Sequence, residues 1–308
     1  MNPSANAAPT PAVDPVVAAP AAPPSPRPFY WSVRRELWEN RSVVLAPLAV
    51  AGAALLAFAV RAFGLPERRR AIFLLAPAAQ REALQKPYDM LAMVLLATAF
   101  LVASFYCLDA LNGERRDRSI LFWKSLPVSD WTAVLAKASI PLAVLPALTF
   151  LLVVATQIVI LLSSGAILSV TGPHGTPLLP YPVFRHSIVL LYGLVTLALW
   201  HAPFYAWLLL ISAWARRAAI LWALLPPAVI AAFEKGAFNS SHFASFVGYR
   251  LSGGTAAAFA FGPKGSLESL AQLTPGRFLA TPGLWLGLAF AAAFLFAAVR
   301  LRRARGPI

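Results

Sequence analysis

The sequence predicts an all-α integral membrane protein with six transmembrane helices, and three observations predict it. Hydrophobic residues make up 59% of the 308-residue chain and charged residues 12%, a balance that a water-soluble domain of this length has too little polar surface to accommodate. Apolar stretches of about 20 residues, the length of one bilayer crossing, recur along the chain. Short charged segments separate them, which excludes a single anchor on a soluble enzyme. An interfacial helix before the first span and a re-entrant segment before the last complete the expected architecture.

Met1 to Pro26 is rich in Ala and Pro and nearly uncharged, too poor in periodic apolar residues to repay the entropy of ordering, so it is expected as a disordered tail. The first basic residues, Arg27, Arg34 and Arg35, follow this tail, an order opposite to that of a cleavable signal peptide. From Pro28 to Arg41, Phe29, Tyr30, Trp31, Val33, Leu37 and Trp38 alternate with Arg34, Arg35, Glu36, Glu39 and Arg41. Such a segment suits a helix lying in the headgroup layer.

Spans are expected at 43–63, 90–111, 138–163, 187–214, 218–233 and 283–299. Six spans leave both termini on one side, and the positive-inside rule makes that side cytoplasmic. Arg27, Arg34, Arg35, Arg41, Arg115, Arg116, Arg118, Lys124, Lys137, Arg216, Arg217, Arg300, Arg302, Arg303 and Arg305 then face the cytoplasm, serving orientation and phospholipid headgroup contact. The loop at 64–87 runs against this rule, with Arg68, Arg69, Arg70, Arg81 and Lys86 outside; Ile72 to Leu75 among those charges suggest an amphipathic external helix. The last connection, 234–282, carries Gly248, Gly253, Gly254, Gly262 and Gly265, which are expected to break any continuous span. A re-entrant helical pair is the form in which its backbone polar groups are satisfied at membrane depth.

The net charge of +14 raises nucleic acid as a partner, but no basic stripe or stacking platform accompanies it, and nucleic-acid binding is not expected. Cys107 is the only cysteine, which excludes an intrachain disulfide and a multi-cysteine metal site; a buried inert thiol is its simplest reading. No metal or other cofactor is expected in this chain.

The stretch from Cys107 to Lys137, CLDALNGERRDRSILFWKSLPVSDWTAVLAK, is the most informative. Glu114, Arg115, Arg116, Asp117 and Arg118 place mixed charge at the membrane surface, and Ile120, Leu121, Phe122 and Trp123 supply a compact apolar face. A short helix of this kind offers a knob to another protein's groove; an ordinary interfacial loop is the plainer reading. Pro127 ends the helix, and Ser129 or Asp130 caps the next.

The acidic-basic cluster after the second span, the short apolar helix, the Leu-Pro-Val-Ser turn and the Lys before the third span resemble the coupling region of ABC-2 type ABC transporter permeases. The layout of interfacial helix, six spans and a long connection before the last is similar over most of the chain; the Ala/Pro tail and the basic 64–87 loop depart from it. The resemblance implies a domain over 27–308, with a coupling helix within 113–137 that docks on a separate ABC ATPase. Glu114, Arg116, Asp117, Arg118, Phe122, Trp123 and Lys124 become contact candidates for that subunit. It also implies a second permease copy or homologue, and ATP and Mg used by the partner, because this chain has no Walker A loop: Gly262-Pro263-Lys264-Gly265-Ser266 lacks the spacing. The expected function is that of the membrane-spanning subunit of an inner-membrane exporter, moving a hydrophobic or amphiphilic substrate by alternating access.

Polar groups inside spans are candidates for a substrate path. Gln157 and His201 fit that description, though an uncharged Gln or His also bonds to a neighbouring helix, and Pro203 frees a carbonyl that His201 can satisfy. Asp109 is expected to pair with Arg115 or Arg116 rather than to relay protons. Gly283 and Gly287 form a GxxxG pair that lets helices approach closely. No nucleophile-base, paired-carboxylate or HExxH arrangement lies near a span, which disfavours a membrane-embedded lipid-modifying enzyme. A stand-alone secondary transporter would call for ion-coupling charges near the midplane and an internal repeat, and neither is visible.

Overall fold

Proline sets where several helices begin, because its missing N–H costs nothing in a first turn. Pro28, Pro66, Pro77, Pro275 and Pro282 stand at or next to the first residue of their helices. The computed structural model describes residues 27–125, 128–171, 182–261 and 270–304. Helices account for 89% of the described residues, with no strand among them. The helices are α1 (Pro28–Glu39), α2 (Ser42–Ala62), α3 (Leu65–Phe73), α4 (Pro77–Asp109), α5 (Asn112–Arg116), α6 (Ser119–Ser125), α7 (Asp130–Ser139), α8 (Leu145–Thr171), α9 (Val183–Trp214), α10 (Ala219–Phe238), α11 (His242–Ala258), α12 (Pro275–Leu279) and α13 (Pro282–Ala304). The expected tail 1–26, Pro127, Lys264 and Arg305 lie outside the described residues.

Six helical stretches are long and apolar enough to cross a membrane: Ser42–Ala62, Pro77–Arg116, Asp130–Val170, Val183–Trp214, Ala219–Phe238 and Pro282–Ala304. The expected spans 90–111, 138–163, 187–214 and 283–299 fall within them, and 43–63 and 218–233 each overrun theirs by one residue. The outward faces are apolar: Leu56, Val60, Met93, Leu151, Leu162, Leu224, Phe233 and Leu286 are exposed. So continuous an apolar surface is stable against lipid and unstable against water.

Helix α9 is the hub and packs against α4, α8, α11 and α13. It is the most buried of the six stretches, and it encloses Trp200, Leu209 and Ser212 completely. Between α7 and α8 the chain forms a π-helical turn, Ile140–Val144, in which the Leu145 N–H donates to the Ile140 carbonyl. Pro141 lies within it and Pro146 just beyond it, each removing a donor that an α-helix would use, which is the local reason for the looser turn.

Two expectations about connections change. The 64–87 segment is not mainly a loop: α3 occupies part of it, and α4 begins at Pro77, so this helix runs about 50 Å and exceeds the roughly 30 Å hydrocarbon layer. In the last connection α11 runs through Gly248, Gly253 and Gly254 without a break. These glycines shape packing instead: a Cβ on Gly254 would stand 2.5 Å from the Trp200 ring, and one on Gly253 2.5 Å from Tyr249.

Candidate functional site

Beside the beginning of α7 and the end of α13, four helices bring charged residues into one largely buried cluster, and a fifth adds a tyrosine. Helix α1 contributes Arg35 and Glu36, α5 contributes Glu114, α7 contributes Asp130 and Lys137, and α13 contributes Arg302 and Arg303. Lys137 and Glu36 are each 1% exposed. The Lys137 ammonium donates to both Glu36 oxygens, at 2.8 and 3.0 Å, and lies 3.1 Å from Glu114 Oε1. Arg35 Nη2 donates to Glu36 Oε1 at 2.6 Å and to Glu114 Oε1 at 3.1 Å. Arg302 bridges Glu114 Oε2, at 3.5 Å, and Asp130, and Arg303 Nε reaches Asp130 Oδ2 at 3.4 Å. The Tyr106 hydroxyl of α4 donates to Glu36 Oε2 at 2.8 Å.

Arg35, Lys137 and Arg302 thus face Glu36, Glu114 and Asp130, a balanced set, which is the condition under which charges tolerate removal from water. Burial by itself would push the Glu36 carboxyl up; Lys137 and then Arg35 outweigh it and hold the carboxyl below its ordinary range.

A second set of polar contacts clasps the end of α9 to α5. The Ser212 hydroxyl accepts from the backbone N–H groups of Leu111 and Asn112 at 3.0 and 2.9 Å. Arg115 donates to the Ala213 and Ala215 carbonyls at 2.8 and 3.2 Å, and Asn112 Nδ2 to Ala215 at 2.6 Å. These carbonyls end a helix and have no partners within it, so a cation there is doubly favourable.

The assignment of all basic residues to orientation and headgroups is therefore corrected for Arg115, Lys137 and Arg302, which are buried, and for the half-buried Arg35. The signal was present in sequence: Lys137 stands between Ala136 and Ala138 at the start of an apolar run, a place where an amine needs a partner. What the sequence does not reveal is that Glu36, 101 positions away along the chain, supplies it.

The coupling-region candidates divide. Glu114 is inside the cluster, 7% exposed, and does not offer its carboxylate to the surface. Arg116, Asp117 and Arg118 are exposed. Arg116 pairs with Asp109 at 3.6 Å and Asp117 at 3.2 Å, so Arg116, not Arg115, is the Asp109 partner. Arg118 turns the corner between α5 and α6 with a left-handed φ of 60°. On α6, Ile120 points inward at 2% exposure while Leu121 and Phe122 are 58% and 59% exposed. Trp123 and Lys124 belong to α6 by backbone, and their side chains lie outside the described set. Ser129 is the cap of α7: its hydroxyl accepts the Thr132 N–H at 3.0 Å.

Gln157 and His201, the path candidates, are both buried. His201 lines a small cavity between α4, α8 and α9, together with Phe100, Pro141, Leu145, Leu194 and Tyr205; Gln157 does not. The His201 ring nitrogens lie 2.9 Å from the Leu197 carbonyl and 3.1 Å from the Leu251 carbonyl. The carbonyl that Pro203 frees is that of Leu199, which is not among these partners; the bond to Leu251 instead pins α11 to α9, the contact with a neighbouring helix that the plainer reading expects.

The GxxxG pair also has a different use. Arg250 of α11 lies against Gly287, where a Cβ would overlap its guanidinium, and donates from Nη1 to the Gly283 carbonyl at 2.9 Å.

By the length and composition of its helices the chain is a multi-pass helical membrane protein. No family model, curated protein or solved structure matches it.

Proposed function

We propose that this chain is the membrane-spanning permease subunit of an ATP-driven exporter of the ABC-2 type, residing in the inner membrane with both termini cytoplasmic. The observation that carries the reading is α6: a short helix with Leu121 and Phe122 exposed, standing next to a buried charge cluster that ties α1, α4, α5, α7 and α13 together. An apolar knob on a rigid mount transmits force, whereas the same knob on a loose loop absorbs it.

In this reading α6 is the coupling helix and α1 the interfacial helix, and α11 with α12 forms the re-entrant segment before the last span. Separate ABC ATPase subunits bind ATP and Mg and close on each other. Their closure moves α6, and the cluster passes the displacement to the first turns of α7 and the last turn of α13. A second permease copy or homologue completes a central path, which opens alternately to each side. Phe122, Trp123 and Lys124, with Arg116, Asp117 and Arg118, make the ATPase contact; Glu114 acts from within, by holding the mount. The substrate is hydrophobic or amphiphilic, and no bond chemistry falls to this chain.

The test is purification from the native membrane in gentle detergent with an ATPase assay on the co-purifying subunits. Replacing Phe122 and Trp123 together by Ala leaves the chain inserted and removes substrate-stimulated ATP hydrolysis. Unchanged stimulation in that variant, or purification with no ATPase partner, overturns the proposal.

A further inference from the structure

The strongest uncompensated charge among the described residues lies at the opposite end of α13 from the cluster. Gly287 and Arg302 are separated by about 22 Å of helix, so Arg250, packed on Gly287, sits near the other face of the membrane-spanning bundle. Its guanidinium carbon lies 4.6 Å from the centre of the Trp200 ring, and Trp200 is 0% exposed. One guanidinium nitrogen is engaged with the Gly283 carbonyl at 2.9 Å. The other, Nη2, is buried without a hydrogen-bond partner, and so is Trp200 Nε1 in the same stack. No carboxylate among the described residues pairs with Arg250.

Stacking on an indole and one carbonyl bond offset part of the cost of placing a cation here. They supply no opposite charge, and two buried donors stay unsatisfied, each a cost of its own. Water satisfies the donors without neutralising the charge. An oxyanion does both, since a guanidinium fork and an adjacent N–H match two oxygens of one phosphate or carboxylate group. Gly287, Gly254 and Gly283 are what make the stack fit: side chains on the first two would collide with Arg250 and Trp200, and the third exposes its carbonyl at the first turn of α13. Beside the stack, Phe246, Tyr249 and Leu251 of α11 are exposed and apolar, a surface suited to an alkyl chain.

We infer that Arg250 and Trp200 form a binding site for a phosphate-type oxyanion, carried by an amphiphile whose chain lies along α11. The inference stands on this stack alone and does not depend on the ATPase assignment.

The test uses the purified full chain in phosphatidylcholine nanodiscs, with radiolabelled dodecyl phosphate as probe and inorganic phosphate and dodecylphosphocholine as competitors. Saturable binding is expected, weakened about tenfold or more by Arg250→Gln, the loss of a charged hydrogen bond. Gly287→Leu, which displaces the guanidinium and keeps its charge, weakens it similarly, and Arg250→Lys less. Competition by inorganic phosphate assigns a free-anion source, and its absence a lipid source. Equal binding by Arg250→Gln, or competition by dodecylphosphocholine as strong as that by unlabelled dodecyl phosphate, overturns the inference. Since the assay contains no ATPase, a negative result leaves the coupling test untouched, and a failed coupling test leaves this one standing.

Discussion

Lys137 holds its ammonium among two carboxylates with 1% of its surface exposed, which makes it the most sensitive single residue in the cluster. Lys137→Met strands Glu36 as a buried, half-compensated anion and is expected to destabilise the chain by about 3 to 5 kcal/mol. The double variant Glu36→Gln, Lys137→Met removes both charges and should recover a large part of that loss. Thermal melting of the detergent-solubilised chain checks both; a double variant as unstable as the sum of the singles would show that the pair is not coupled. The same residues set an acid limit. Because the Glu36 carboxyl is held below its ordinary range, its contribution is complete above the unfolded value of about 4.3 and falls as pH drops through the lower folded value. The melting temperature should therefore decline below about pH 4.3, and less steeply in Glu36→Gln.

Helix α7 illustrates how a short element is positioned by its ends. Ser129 caps its first turn, Asp130 reaches to Arg302 and Arg303, and Lys137 closes on Glu36. Ser129→Ala removes only the cap, and the expected cost is about 1 kcal/mol, seen as a small fall in melting temperature with ATPase stimulation retained. Helix α6 is positioned by packing instead, through the buried Ile120. Its function under the proposal lies in its exposed face, Leu121 and Phe122. Hence the different readouts: α7 variants should change stability, whereas the Phe122, Trp123 double variant should change coupling.

Across the whole molecule, topology is open to a direct check because the one native cysteine, Cys107, is 0% exposed and should stay silent toward a polar maleimide. Single cysteines at Arg116 and Arg68 then report the two faces. Under the proposed orientation, Arg116→Cys is labelled only after the membrane is permeabilised, and Arg68→Cys in intact cells. Protection of Arg68→Cys in intact cells would reverse the assignment of the basic 64–87 segment, and labelling of Arg116→Cys there would reverse the orientation of the termini. Helix α10 has few buried residues, Ala223 being one, and its exposed Trp222, Leu225, Val229 and Phe233 leave room for lipid or a second copy.

The sequence by itself determined the class of the molecule and the position of every expected span, since hydropathy over about 20 residues is a local property and the bilayer reads it locally. It also narrowed the cap of α7 to Ser129 or Asp130, for a cap needs only the next three residues. Tertiary structure alone decided which charges leave the membrane surface for the interior. Glu36 with Lys137, Glu114 with Arg302, and Arg250 with Trp200 are partners far apart in the chain. The partner of Lys137 and the fates of Arg302 and Arg250 were invisible because a basic residue beside an apolar run looks the same whether it faces a phosphate headgroup or a carboxylate from another helix. The glycines of α11 were misread for a related reason: in isolation a glycine weakens a helix, and only the ring packed against it shows what its missing side chain is for.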